Sequence, residues 1–132
     1  MAWTVAPSSD ELAFVMEAGF FYRDAQKFQE AREVFSGVRA MVPKSEVPEV
    51  ALGTVSFRQG DFDTALKHYE RALALSPRSA YVYAHLGEVA IFRKDKKTAR
   101  TQLKKALELD PRGPHGKMAR SLLEVVDVVQ FK

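Results

Sequence analysis

The sequence of 132 residues contains no cysteine. This absence excludes a disulfide framework, a thiolate metal site and cysteine catalysis, and it is typical of a reducing compartment, so we expect a cytoplasmic protein. Residues 1–9 lack a positively charged start and a long apolar core. No stretch approaches the roughly 20 apolar residues that span a bilayer. We therefore expect a protein that is neither exported nor inserted in a membrane.

Catalytic motifs are absent as well. The three histidines, His68, His85 and His115, do not form an HExxH pattern, and neither GxxxxGK nor GxSxG occurs. His85 and Glu88 lie three residues apart, and we interpret them as a polar pair on one helix face because two ligands do not make a metal site. The sequence predicts no enzyme, no cofactor and no bound metal.

Charge is unevenly distributed along the chain. Residues 1–91 carry 9 Lys and Arg against 12 Asp and Glu, whereas residues 92–132 carry 11 against 5. The basic run consists of Arg93, Lys94, Lys96, Lys97, Arg100, Lys104 and Lys105. It is either a solvated outer face or a site for an acidic protein or nucleic acid. Nucleic acid is the weaker interpretation, since no aromatic residue alternates with these cations to stack on bases.

Three residue types recur at one period of 34 residues. They are glycine at Gly19, Gly53 and Gly87, alanine at Ala31, Ala65 and Ala99, and proline at Pro43, Pro77 and Pro111. A shared period indicates one structural unit used three times. We predict a single domain over 1–132, with an N-terminal tail at 1–11, repeats at 12–45, 46–79 and 80–113, and a capping helix at 114–132.

Each unit shows two apolar patterns with helical spacings of three and four. The recurring small residues predict that the two helices cross closely, and the prolines end the second helix. Ser8 and Ser9 before Asp10 and Glu11 mark the start of the first helix. The third unit has Lys94 where the second has Gly60, so we expect its inter-helix turn to be looser.

These residues resemble the tetratricopeptide repeat, a 34-residue helix-turn-helix unit, over about residues 12–113. The resemblance implies an all-α, right-handed solenoid of three repeats and a C-terminal capping helix. It also implies that the first helix of each repeat lines a concave groove. The positions that face this groove in the family are here Ala13, Met16, Phe20, Arg23, Val47, Val50, Thr54, Phe57, Tyr81, Ala84, Glu88 and Ile91, with His85 beside them.

The resemblance implies a non-enzymatic protein-interaction module, an adaptor, scaffold or chaperone that holds a hydrophobic peptide segment of a partner. The Lys, Asn and Arg clamp for acidic chaperone C-termini is absent, since Met16, Phe20, Ala51, Tyr81 and His85 stand at its positions. Three short repeats, an apolar groove and a terminal helix are similar to the translocator chaperones of bacterial type III secretion. The alternative is a scaffold that binds an acidic protein or nucleic acid through the basic surface of repeat 3.

The capping helix carries more apolar side chains than its main stripe needs. Leu123, Val128 and Phe131 lie outside that stripe. We predict that they, or residues 2–5 of the tail, form a contact with a second copy or with a partner.

Overall fold

The computed structural model describes residues 7–129, which form seven α-helices. Their bounds are α1 Ser9–Asp24, α2 Phe28–Met41, α3 Val47–Arg58, α4 Phe62–Leu75, α5 Ala80–Phe92, α6 Lys96–Leu109 and α7 Pro114–Val128. Each odd-numbered helix up to α5 packs on the helix that follows it, and α7 packs on α5 and α6. The predicted architecture of three hairpins and a final helix is confirmed.

The recurring glycines explain how the two helices of a hairpin approach each other. A Cβ atom at any of them would overlap with a large side chain from the second helix of the same hairpin, and the facing pairs are Gly19 with Phe35, Gly53 with Tyr69 and Gly87 with Leu103. These three side chains have no exposed surface. A glycine inside a helix costs about 1 kcal/mol relative to alanine. Here it makes room for the largest side chains of the core.

The core consists of three successive clusters rather than one centre. Each cluster joins a hairpin to the next helix along the chain. Representative buried members are Phe35 and Val55 in the first cluster, Tyr69 and Val82 in the second, and Leu103 and Val126 in the third. A hairpin therefore buries its apolar side only when a neighbour covers it, which is the physical basis of a solenoid.

The turns inside the three hairpins share one geometry. Gln26, Gly60 and Lys94, spaced by the repeat period, have φ angles of 63°, 81° and 63°. In the third turn the Asp95 amide donates to the Ala90 carbonyl at 2.9 Å, and the Asp61 amide makes the equivalent bond at 2.9 Å. The expectation of a looser third turn is wrong, because this helix-ending hydrogen bond imposes the left-handed residue whether or not it is glycine.

The predicted start of the first helix is confirmed. The Glu11 amide donates to Ser8 Oγ at 3.1 Å, while the Ser8 amide donates to Glu11 Oε1 at 3.0 Å, a complete capping box. Asp61 and Asp95 cap α4 and α6 in the same way, each accepting a hydrogen bond from the amide three residues on. Their carboxylates also complement the positive end of the helix dipole.

One carboxylate is buried between the first and second hairpins. Arg39 Nη1 donates to Glu49 Oε1 at 3.1 Å, and His68 Nδ1 lies 2.9 Å from Glu49 Oε2. The Glu49 side chain is 7% exposed. Burial raises the pKa of its carboxyl, but the hydrogen bonds from His68 and Arg39 outweigh burial, so the pKa lies below its usual value.

Two glycine substitutions should change stability in opposite directions. A Cβ at Gly60 or at Gly37 would meet no atom within 4 Å. Gly60 is left-handed, so Gly60→Ala should lower the free energy of unfolding by about 1 kcal/mol. Gly37 lies inside α2, so Gly37→Ala should raise it by about 1 kcal/mol. Urea denaturation measures both, and effects of the same sign would contradict the assigned turn.

Glu49→Gln should destabilise the protein by about 1–3 kcal/mol near neutral pH, since Arg39 and His68 lose the buried charged acceptor that they share. A carboxyl whose folded pKa is lowered stabilises the protein above its unfolded pKa, and that contribution is lost as the pH falls through the folded value. The difference from wild type should therefore shrink as the pH is lowered from about 5 toward 3. Urea denaturation across this range measures it.

Asp24→Asn is the matched control. Asp24 also pairs with arginines, Arg23 and Arg58, but its side chain is 57% exposed. Water screens a carboxylate this exposed, so this variant should change stability by at most about 1 kcal/mol. A Glu49→Gln penalty that stays constant between pH 5 and 3 would rule out the lowered pKa.

Candidate functional site

The helices form two layers that differ in spacing. In one layer α1 contacts α3, α3 contacts α5, and α5 contacts α7. In the other layer α2, α4 and α6 make no such contacts with each other within residues 7–129. A stack whose helices are closer on one side curves toward that side. We call the surface of α1, α3, α5 and α7 the concave face; α7 extends it as the first helix of a fourth hairpin would.

One apolar pocket lies at the start of the concave face. It has a volume of about 270 Å³, and its lining residues include Leu12, Ala13, Met16, Val38, Val42, Val47 and Pro48. We call it the N-terminal pocket. Three of the predicted groove residues, Ala13, Met16 and Val47, meet here. Ala13 is exposed, whereas Met16 is 7% exposed and forms the floor.

Polar side chains follow along the same face. Arg23 Nη1 donates to Thr54 Oγ1 at 3.0 Å. The Arg23 guanidinium also lies over the Phe20 ring, 4.9 Å from its centroid. The three residues are predicted groove members from two repeats, and the structure brings them together. Their contact fixes a largely buried cation between α1 and α3.

Aromatic side chains lie farther along the concave face, on α5 and α7. The Tyr81 ring stacks on His115 with centroids 4.9 Å apart and meets the edge of His85 at 5.1 Å. His85 Nδ1 lies 3.3 Å from Glu88 Oε1, which confirms the predicted polar pair. Burial raises the pKa of the Tyr81 hydroxyl. His115 comes from the start of α7, so the last helix takes part in this face.

Tyr69 places an unpaired hydroxyl beneath these side chains. Its ring lies 5.6 Å from that of His85, and its hydroxyl has no hydrogen-bond partner within the described residues. Burial, and next the charge of Glu88, raise the pKa of this hydroxyl far above its usual value, so it stays protonated. The sequence analysis did not consider the Tyr69 hydroxyl. The 34-residue period could have drawn attention to this hydroxyl, because Phe35 and Leu103 fill the equivalent positions without one.

A second apolar pocket lies between α5 and α7. It has a volume of about 550 Å³ and is lined by Glu88, Ile91, Phe92, Lys94, Leu122, Val125 and Val129. We call it the C-terminal pocket. The sequence analysis assigned only Glu88 and Ile91 to a groove. It missed the α7 residues because it treated that helix as a cover for the third repeat.

Three other predicted groove residues have different surroundings. Val50 and Ala84 have no exposed surface and pack in the core, so they do not line the groove directly. Phe57 is half-buried, with its ring centroid 5.3 Å from that of Phe62 and 4.9 Å from that of Phe92. Phe57 therefore joins the concave face to the C-terminal pocket through Phe92.

The basic run lies on α6 and in the turn before it. Arg93 pairs with Asp63 at 3.5 Å, Lys105 with Glu108 at 3.8 Å, and Arg100 with Asp127. Part of the predicted positive surface is thus neutralised by neighbouring carboxylates. Lys94 differs from the rest of the run because it lines the C-terminal pocket.

The residues predicted to contact a second copy do not share one environment. Leu123 is half-buried against the third core cluster. Val128 is 78% exposed at the end of α7. Phe131 and residues 2–5 lie outside the described residues.

Neither a metal cluster nor a membrane span is found in the described part of the chain. Residues 7–129 contain no group of three or more His, Cys, Asp or Glu side chains placed to hold a metal ion. None of the helices there combines the length and hydropathy needed to cross a membrane.

Comparison with solved structures finds the same fold in bacterial chaperones. The type III secretion translocator chaperone SycD of Yersinia enterocolitica has a TM-score of 0.76 and 21% identity, over 89% of this chain and 91% of that chain. PcrH of Pseudomonas aeruginosa has a TM-score of 0.76 and 20% identity, over 97% and 100%. Yersinia SycD in complex with a peptide of the translocator YopD has a TM-score of 0.73 and 22% identity, over 92% and 95%.

Sequence comparison identifies the repeat. No curated protein matches the sequence significantly. The family model described as tetratricopeptide repeat matches residues 56–123, about half of the chain, from the end of α3 into α7. Together with the 34-residue period and the stacked hairpins, this match shows that the chain belongs to the tetratricopeptide repeat family.

Proposed function

We propose that this protein binds an extended, mainly apolar segment of a partner protein along its concave face, as an adaptor or chaperone. The observation that carries the proposal is the order of features along that face. An apolar pocket lies at each end, and polar groups lie between them. This order matches the needs of a peptide whose apolar side chains are buried while its backbone stays hydrogen-bonded.

The polar groups between the pockets include both donors and acceptors. Of its five N–H groups, Arg23 uses three for Asp24 and Thr54 and has two more to donate, and the Glu88 carboxylate accepts hydrogen bonds. Every residue of an extended peptide carries an N–H and a C=O group, and each needs a partner when water is displaced. A face with apolar pockets alone would leave these groups unpaired. The mixed character of the central region therefore favours a peptide over a small apolar ligand.

The structural neighbours support the same proposal. SycD has been solved with a translocator peptide bound. This chain shares the fold over most of its length. Holding such a segment would shield its apolar side chains from water, which is how a chaperone keeps an aggregation-prone partner in solution. The proposed activity is binding without catalysis.

The alternative, a scaffold for nucleic acid or an acidic protein on the basic surface, lacks comparable support. Three of the seven cations already pair with carboxylates of this chain. The compared structures are chaperones, and one holds a peptide. We therefore do not propose the basic surface as a separate binding site.

Ala13→Asp should weaken peptide binding at least about ten-fold, because it places a charge in the N-terminal pocket. Ala13 is exposed, so the fold should be retained. The probe is a fluorescein-labelled synthetic peptide chosen from a phage-displayed library of random 12-residue peptides selected on the full chain. Fluorescence anisotropy gives the dissociation constant.

Ala74→Asp is the matched control, since Ala74 is an exposed alanine on α4 in the outer layer. It should leave the dissociation constant unchanged. Circular dichroism should show equal helix content in all three proteins. The proposal fails if selection yields no peptide, or if Ala13→Asp binds the selected peptides as tightly as wild type.

A further inference from the structure

The C-terminal pocket, at about 550 Å³, is larger than the N-terminal pocket, at about 270 Å³, and the fold alone does not explain it. Phe92 is 54% exposed, Val125 40% and Val129 39%. Three large apolar side chains around one recess form the kind of exposed patch that marks an interaction site. A helix that only covered the third repeat would turn the position of Val125 to the core or carry a polar residue there.

The pocket continues the concave face. Glu88 and Ile91 are shared between the predicted groove and this pocket. The Phe92 ring meets Phe57 of the preceding repeat nearly at right angles, with centroids 4.9 Å apart. A segment that runs along the face from α1 to α5 therefore reaches this recess past the contact between Phe57 and Phe92.

One cation lies at the edge of the pocket. Lys94 lines the recess, and its side chain makes no ion pair among the described residues. Its backbone is held at the rim, where its amide donates to the Ile91 carbonyl at 3.0 Å. Glu88, the one carboxylate in the lining, already lies 3.3 Å from His85. The recess thus presents an apolar floor with the Lys94 ammonium at its edge, while the Glu88 carboxylate is held by His85.

Lys94 also occupies the left-handed position of the third turn, with φ of 63°. The first repeat has Gln26 there with the same φ of 63°, and the second has Gly60. The turn therefore accepts different residues at this position, so its geometry does not select lysine.

Building on the proposed function, we propose that the C-terminal pocket takes one large apolar side chain of the bound segment while Lys94 pairs with a carboxylate beside it. The protein then selects segments in which an aliphatic or aromatic residue lies next to Asp or Glu. The α7 helix is part of the binding site rather than only a cover. The two surfaces considered from sequence, apolar groove and basic run, meet at this one recess.

The test compares peptide selections on wild type, Lys94→Glu and Lys104→Glu with the same phage-displayed library. Lys104 is an exposed lysine of α6 in the outer layer and serves as the control for net charge. Wild type and Lys104→Glu should enrich Asp or Glu beside an apolar residue, whereas Lys94→Glu should enrich Lys or Arg there. A synthetic peptide selected on the wild-type protein is then made with Gln in place of the Glu beside its apolar residue. This change in the peptide should weaken its binding to the wild-type protein about three-fold and should not weaken its binding to Lys94→Glu.

Val125→Asp tests the apolar part of the recess and should weaken the same peptide at least about ten-fold. One outcome would overturn this inference and leave the proposed function standing. In that outcome Ala13→Asp weakens peptide binding, but Lys94→Glu and Val125→Asp bind the peptides as tightly as wild type does. Peptides insensitive to Ala13→Asp, or no selected peptide, would overturn both.

Discussion

The close approach of paired helices at the recurring glycines is the constraint on which the rest of the structure depends. Because Gly53 carries no side chain, the Tyr69 ring fits directly beneath α3, and the equivalent pairs do the same in the other hairpins. That fit sets the thickness of each hairpin and the place where the next one stacks. The spacing between α1, α3, α5 and α7, and so the shape of the concave face, follows from it. A larger residue at one glycine would force apart one hairpin and the pockets beside it.

The two layers of helices contribute different side chains to the structure. The second helices of the hairpins supply the large buried side chains Phe35, Tyr69 and Leu103, whereas the first helices supply both core contacts and the concave face. Because α3 contributes to two core clusters, it is buried over most of its length, from Pro48 to Ser56. Buried polar groups also concentrate near it. Glu49 is paired between neighbouring hairpins, and the Tyr69 hydroxyl is left unpaired below the concave face.

Sequence alone predicts the hairpins because the repeat period constrains packing and turns, which are local. It does less well where neighbouring units meet. Val50 stands at a groove position of the repeat, yet it is fully buried because the adjacent hairpins close over it. Inside the third hairpin, the sequence analysis expected a looser turn because Lys94 stands where the second repeat has glycine. The hydrogen bonds that end α5 fix the same turn there as at Gly60. The sequence analysis treated α7 only as a cover because its sequence lies outside the period, and its packing on α5 shows that Val125 lines a pocket.

The central claim is that a peptide is held on the layer formed by the first helices and α7. Backbone amide chemical shifts, measured by NMR on the labelled full chain with and without a selected peptide, test it residue by residue. The account predicts that the largest shifts fall in α1, α3, α5 and α7, including residues around Ala13 and Ile91. It predicts small shifts on the outer surface of α4 and α6, around Ala74 and Lys104. Shifts concentrated on α4 and α6 would contradict it.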